Sequence, residues 1–84
     1  MRTEKAKEIS QKFFHSVDVK KQLGSRLREL RAKKGWSQEE CAFRCDLDKT
    51  YIASIEQGRR NVSIVNIEKI ARAFNMTVSQ FTNW

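Results

Sequence analysis

The sequence predicts an all-α domain, on three observations. Apolar residues recur at helical spacing almost throughout, there are no prolines, and capping residues stand where the apolar runs begin. Strand evidence is negligible. At 84 residues the chain has room for one compact unit and a terminal arm, which excludes a large enzyme scaffold. Hydrophobic residues make up 39% and charged residues 32%, against roughly 45–50% and a quarter in ordinary soluble domains. A small core under a surface turned to water or to a charged partner is expected.

Each element has a local reason. Residues 3–14 place Ala6, Ile9 and Phe13 on one helical face, and Ser16, Val17 and Asp18 then supply a break and an N-cap candidate. Leu23, Leu27 and Leu30 follow at i, i+4, i+7, and that helix ends where Lys33 and Lys34 precede Gly35. Ser37 and Glu40 form an S-x-x-E capping box that opens a short helix with Cys41, Ala42 and Cys45 inward. Asp46, Leu47 and Asp48 interrupt it with a tight turn, since aspartate tolerates left-handed backbone angles. Asp48 caps the next helix, which buries Ile52 and Ile55 and runs through Gln57 to a closing Gly58. Beyond a polar link, Ser63 caps a helix with Ile67, Ile70, Ala71 and Phe74 inward. Thr77 opens a last turn that points Val78 and Phe81 back to the core.

The formal charge is +7, distributed unevenly. Residues 1–22 carry +3, residues 23–36 carry +4, residues 37–58 carry −3 and residues 59–84 carry +3. A basic protein with an acidic middle fits a scaffold presenting a few chosen contacts between positive shoulders, and nucleic acid is the first partner to test. An acidic protein surface or anionic lipid would attract the same charge. No apolar run reaches the roughly 18–20 residues of a membrane span, and no signal-peptide pattern is present, so a cytoplasmic location is expected. Cys41 and Cys45 lie one helical turn apart, a poor geometry for a disulfide, and read as buried structural thiols. His15 has no catalytic constellation and no glycine-rich phosphate loop occurs, so neither enzyme activity, cofactor nor metal is expected.

Two short helices joined by a tight turn, the second with small polar residues at its start, form a helix-turn-helix arrangement at about residues 38–57. Ser37-Gln38-Glu39-Glu40, Ala42, Leu47, Thr50-Tyr51-Ile52, Ile55-Glu56, Gly58, Arg60-Asn61, Ser63 and Ile70-Ala71 together resemble the lambda repressor and Cro (XRE) family of bacterial and phage regulators. The resemblance runs from about Gln22 to Phe81. Leu47 to Ile52 and the Arg-Asn link look most like its restriction-modification controller proteins. It implies a five-helix lambda-repressor-like DNA-binding domain over residues 22–84, preceded by a helical extension over 1–21. The chain departs from the family pattern at Asp46, where glycine is usual, at Val62, where proline is frequent, and at Cys41, where leucine is usual.

In that geometry the helix after the turn lies in the major groove. Lys49, Thr50 and Ser54 are the expected base readers, with Ala53 leaving room for close approach. Lysine can donate to guanine O6 and N7, and Thr50 can bond a base edge or set its methyl against thymine. Tyr51 either touches phosphate or a base step, or packs its ring at the helix start. Gln38, by resemblance, meets a phosphate at the start of its helix. Arg59, Arg60 and Asn61 should meet the backbone beyond the groove, with Arg60 also within reach of a base. The resemblance implies that Arg31 and Glu56 form a half-buried structural ion pair. Lys20, Lys21, Arg26, Arg28, Lys33 and Lys34 read mostly as a solvated face, with one or two within reach of phosphates.

One short helix reads only a few base pairs, so useful specificity implies a homodimer on two half-sites of a double-stranded DNA operator. Met76, Trp84 and the outer face of the helix after Ser63 are the candidate dimer surface, although Trp84 could equally pack on its own core. The leading expectation is a transcriptional regulator that blocks or recruits RNA polymerase. The alternative is an antitoxin or protein-interaction module whose N-terminal segment binds a partner; that needs an apolar face on residues 1–17.

Overall fold

Asp18 opens the described part of the chain, residues 18–84 of a computed structural model. Its carboxylate accepts hydrogen bonds from the Lys20 and Lys21 amides at 3.0 and 3.3 Å, satisfying orphan donors of α1 (Val19–Lys34). The helix therefore starts ahead of residue 22. It ends with Arg31, Lys33 and Lys34 in the last turn and Gly35 left-handed at φ 70°. The expected helix at residues 3–14, and the face of residues 1–17 on which the protein-module alternative rests, lie outside the described residues.

α2 (Gln38–Cys45) is capped by Ser37, whose hydroxyl accepts from the Glu40 amide at 3.0 Å. The reciprocal half of the expected capping box is missing, because Glu40 instead accepts from Arg44 Nε at 2.7 Å, one turn along the helix. A complete box forms elsewhere, at Thr77 and Gln80, where no cation competes for the side-chain amide. Asp46 ends α2 in the left-handed region (φ 57°, ψ 46°), and Asp48 caps α3 (Lys49–Glu56) by accepting from the Thr50 amide. α4 (Ile64–Ala73) starts at Ser63 and α5 (Val78–Phe81) at Thr77. No strand occurs among the described residues. None of the described helices is long and apolar enough to cross a membrane.

The core comprises Leu23, Leu27 and Leu30 of α1, Cys41, Ala42 and Cys45 of α2, Ile52 and Ile55 of α3, Ile70, Ala71 and Phe74 of the fourth helix and its cap, and Phe81. Helical spacing turned these residues inward together with Ile67 and Val78, which are only half-buried. Both cysteines are free thiols, with sulfurs 3.9 Å apart. The hydrogen bond to Cys41 and burial together push the Cys45 thiol up.

Two arginines of the expected solvated face also bond helix ends, Arg28 while its side chain stays 60% exposed. Arg26 donates from Nε to the Phe81 carbonyl and from Nη2 to the Gln80 carbonyl, both at 2.9 Å, and so ties down the carbonyl end of α5. Arg28 donates from Nη2 to the Glu56 carbonyl at 3.0 Å, doing the same for α3. Helical spacing shows which side of α1 such residues occupy, but not that unpaired carbonyls lie within their reach. Gly24 permits close packing there too, since a Cβ at this position would run into the Ile55 carbonyl oxygen.

Candidate nucleic-acid interface

The turn of residues 46–48 sets α3 across α2, with Ile52, Ile55 and Glu56 buried. Lys49, Thr50 and Gln57 are exposed, while Tyr51, Ala53 and Ser54 are half-buried. Lys49 makes no ion pair among the described residues, so its ammonium is available to a ligand. Ala53, one turn on, carries only a methyl on the same side of α3.

Ser54, expected as a reader, is otherwise engaged. Its hydroxyl donates to the Tyr51 carbonyl at 2.7 Å and accepts from Arg60 Nε at 3.2 Å. The Arg60 guanidinium lies 4.8 Å from the centre of the Tyr51 ring, and the Tyr51 hydroxyl accepts from Asn66 Nδ2 at 3.0 Å. Arg60 is therefore held against α3 by a ring and a hydroxyl, with both Nη groups unpartnered among the described residues. Tyr51 packs and organises this arrangement, with its ring turned to Arg60. Arg59 and Asn61 are exposed on the loop that follows.

On the other side of α3, Glu56 collects three donors. Arg31 donates to it from Nε at 2.6 Å and from Nη2 at 3.0 Å, and Gln38 Nε2 donates at 3.1 Å. The Glu56 side chain is 3% exposed and that of Arg31 19%. The hydrogen bond to Glu56 raises the Arg31 pKa, against the opposing effect of burial. Gln38, Lys49, Thr50 and the Arg59–Asn61 loop thus come from three segments anchored on one helix.

Away from that surface, Met76 is half-buried against the core and Trp84 is 43% exposed. Ile64 and Val65 at the start of α4 are more exposed than either, at 65% and 61%. Trp36 escaped the helical patterns because it lies in the link between α1 and α2. It stacks on Phe74 at 5.0 Å, with the Arg44 guanidinium 4.8 Å from its ring centre. A groove of about 450 Å³ between α2 and α4 is lined by Arg44, Asp46, Val65, Glu68, Lys69 and Arg72. Four of its charges pair with one another, Lys69 with Asp46 at 3.9 Å and Arg72 with Glu68 at 3.5 Å, while Arg44 pairs with Glu40. No group of three or more potential metal ligands occurs among the described residues.

The helix-turn-helix family HTH_3 matches residues 27–81. The control protein C.MunI of Mycoplasma sp is 48% identical over 64 residues, covering 75% of this chain and 86% of the relative. The crystal structure of the restriction-modification controller protein C.AhdI from Aeromonas hydrophila superposes with a TM-score of 0.70 at 47% identity, over 74% of this chain and 90% of that one. The controller protein C.Esp1396I, solved as a tetramer in complex with its natural 35 base-pair operator, is similar at a TM-score of 0.71 and 29% identity, over 77% and 86% of the two chains.

Proposed function

Because this chain belongs to the HTH_3 helix-turn-helix family of XRE-type transcriptional regulators, we propose that it binds a pseudo-palindromic operator as a homodimer, in the manner of a restriction-modification controller. α3 enters the major groove, where Lys49 and Thr50 contact base edges. Gln38 at the start of α2, and Arg59 and Asn61 beyond α3, bind phosphates on the two sides of the groove. Arg60, held along α3, presents its free Nη groups to a base or a neighbouring phosphate. The observation that carries this reading is an exposed lysine, ion-pair-free among the described residues, beside an exposed threonine at the start of α3. Family membership supports a role in regulating transcription.

Dimerisation through Ile64, Val65 and Trp84 fits the exposed apolar area at α4 and the C-terminal residues. The tetramer on operator DNA recorded for C.Esp1396I lends support to assembly on two or more half-sites. Cytoplasmic action and contact with RNA polymerase belong to the same proposal. Selection of bound sequences from random duplexes at fixed salt tests it. An enriched motif with two-fold symmetry and half-sites about one helical turn apart is expected, and failure to enrich any sequence overturns it.

A further inference from the structure

The Gln38 amide reaches Glu56 at 3.1 Å, on the same carboxylate oxygen that Arg31 Nη2 contacts at 3.0 Å. A carboxylate accepts only from the amide nitrogen, so this contact fixes which way round the Gln38 side chain lies. One N–H is spent on Glu56, and the second has no hydrogen-bond partner among the described residues. The Glu56 side chain is 3% exposed and is held in turn by Arg31, so the anchor is itself rigid. We infer that Glu56 is a positioning residue for DNA binding, fixing the second N–H of Gln38 for a phosphate before DNA arrives.

This rests on the reading that Gln38 meets the DNA backbone, and it adds a residue that never touches DNA. A glutamine free to rotate would lose its rotamer freedom on binding, and a glutamine already bonded to Glu56 has lost that freedom in folding. Arg31 neutralises the carboxylate, so a phosphate near Gln38 meets the amide without an uncompensated negative charge behind it. The expected advantage is about two- to tenfold in affinity, on every DNA sequence alike.

A double-mutant cycle on the full chain tests it. Replacing the ion pair with apolar side chains of similar length, Arg31→Met with Glu56→Met, removes the anchor without stranding a charge. Gln38→Ala is then made in both backgrounds, and affinity is measured for a selected operator duplex and for a random duplex. The inference expects Gln38→Ala to weaken both duplexes about two- to tenfold with the native pair and less than about twofold without it. Equal losses in the two backgrounds overturn the positioning role while keeping Gln38 at the DNA. No loss with the native pair removes Gln38 from the interface, and the underlying reading fails with it. Should the Met–Met chain fail to fold, nitrogen-15 NMR of the wild-type protein decides. One Gln38 side-chain amide proton is expected to exchange slowly and stay in place when operator duplex is added, while the other shifts. Two amide protons that both behave as in a free glutamine overturn the inference.

Discussion

Arg31 and Glu56 join α1 to α3 through two parallel hydrogen bonds, from Nε at 2.6 Å and from Nη2 at 3.0 Å. Arg31 also donates from Nη1 to the Trp36 carbonyl at 2.9 Å, so one side chain ties both helices to the link before α2. The pair thus links the core helix α1 to the helix that carries Lys49 and Thr50.

Removing one partner should be far worse than removing both. Glu56→Ala strands a guanidinium whose side chain is 19% exposed and should cost about 3–5 kcal/mol, whereas Arg31→Met with Glu56→Met should change stability by much less. Urea unfolding of the three proteins checks this. A double variant no more stable than Glu56→Ala would show that the arginine is not the stranded group.

Gly24→Ala sets two effects against each other. In an exposed helix alanine gains roughly 0.5–1 kcal/mol over glycine. Here the new methyl meets the Ile55 and Glu56 carbonyls, which are backbone atoms and cannot rotate away. Overpacking costs typically about 1–3 kcal/mol, so a net loss is expected, seen as a lower midpoint in thermal or urea melts. A stabilised variant would mean that α1 and α3 separate more readily than their packing implies.

Most of the fold was legible in the sequence because each helix carries its own start signal and a continuous apolar stripe. Asp18, Ser37, Asp48, Ser63 and Thr77 all cap the helices they precede. The site was legible less completely. Lys49 and Thr50 stand exposed at the start of α3, as their positions imply, but nothing in local spacing shows that Ser54 spends its hydroxyl on Tyr51 and Arg60. Arg26, Arg28 and Gln38 bond groups at separations of 55, 28 and 18 residues. Such long-range contacts arise from how the helices cross, which hydrophobic periodicity alone does not encode. Trp36 belongs to the same class, since its partner Phe74 comes from the far side of the motif.

The proposed dimer surface is tested at Ile64 and Trp84. Ile64 is 65% exposed and occupies the first turn of α4, where an acidic side chain suits the helix dipole, so Ile64→Asp should leave the fold intact. Ile64→Asp and Trp84→Ala should each weaken self-association by at least about tenfold if these residues are interface anchors. Sedimentation equilibrium reads that change directly. An unchanged dimer in both variants would move the interface elsewhere.

The division of labour between a reader on α3 and cations on its shoulders is tested most directly by comparing Lys49→Ala with Arg59→Ala across a salt series. Each variant is titrated against the selected operator and a random duplex. Lys49→Ala should lose about 1–3 kcal/mol of discrimination at one base position, whereas Arg59→Ala should weaken both duplexes alike and lower the salt slope by about one. Equal losses on operator and random DNA for Lys49→Ala would contradict the account.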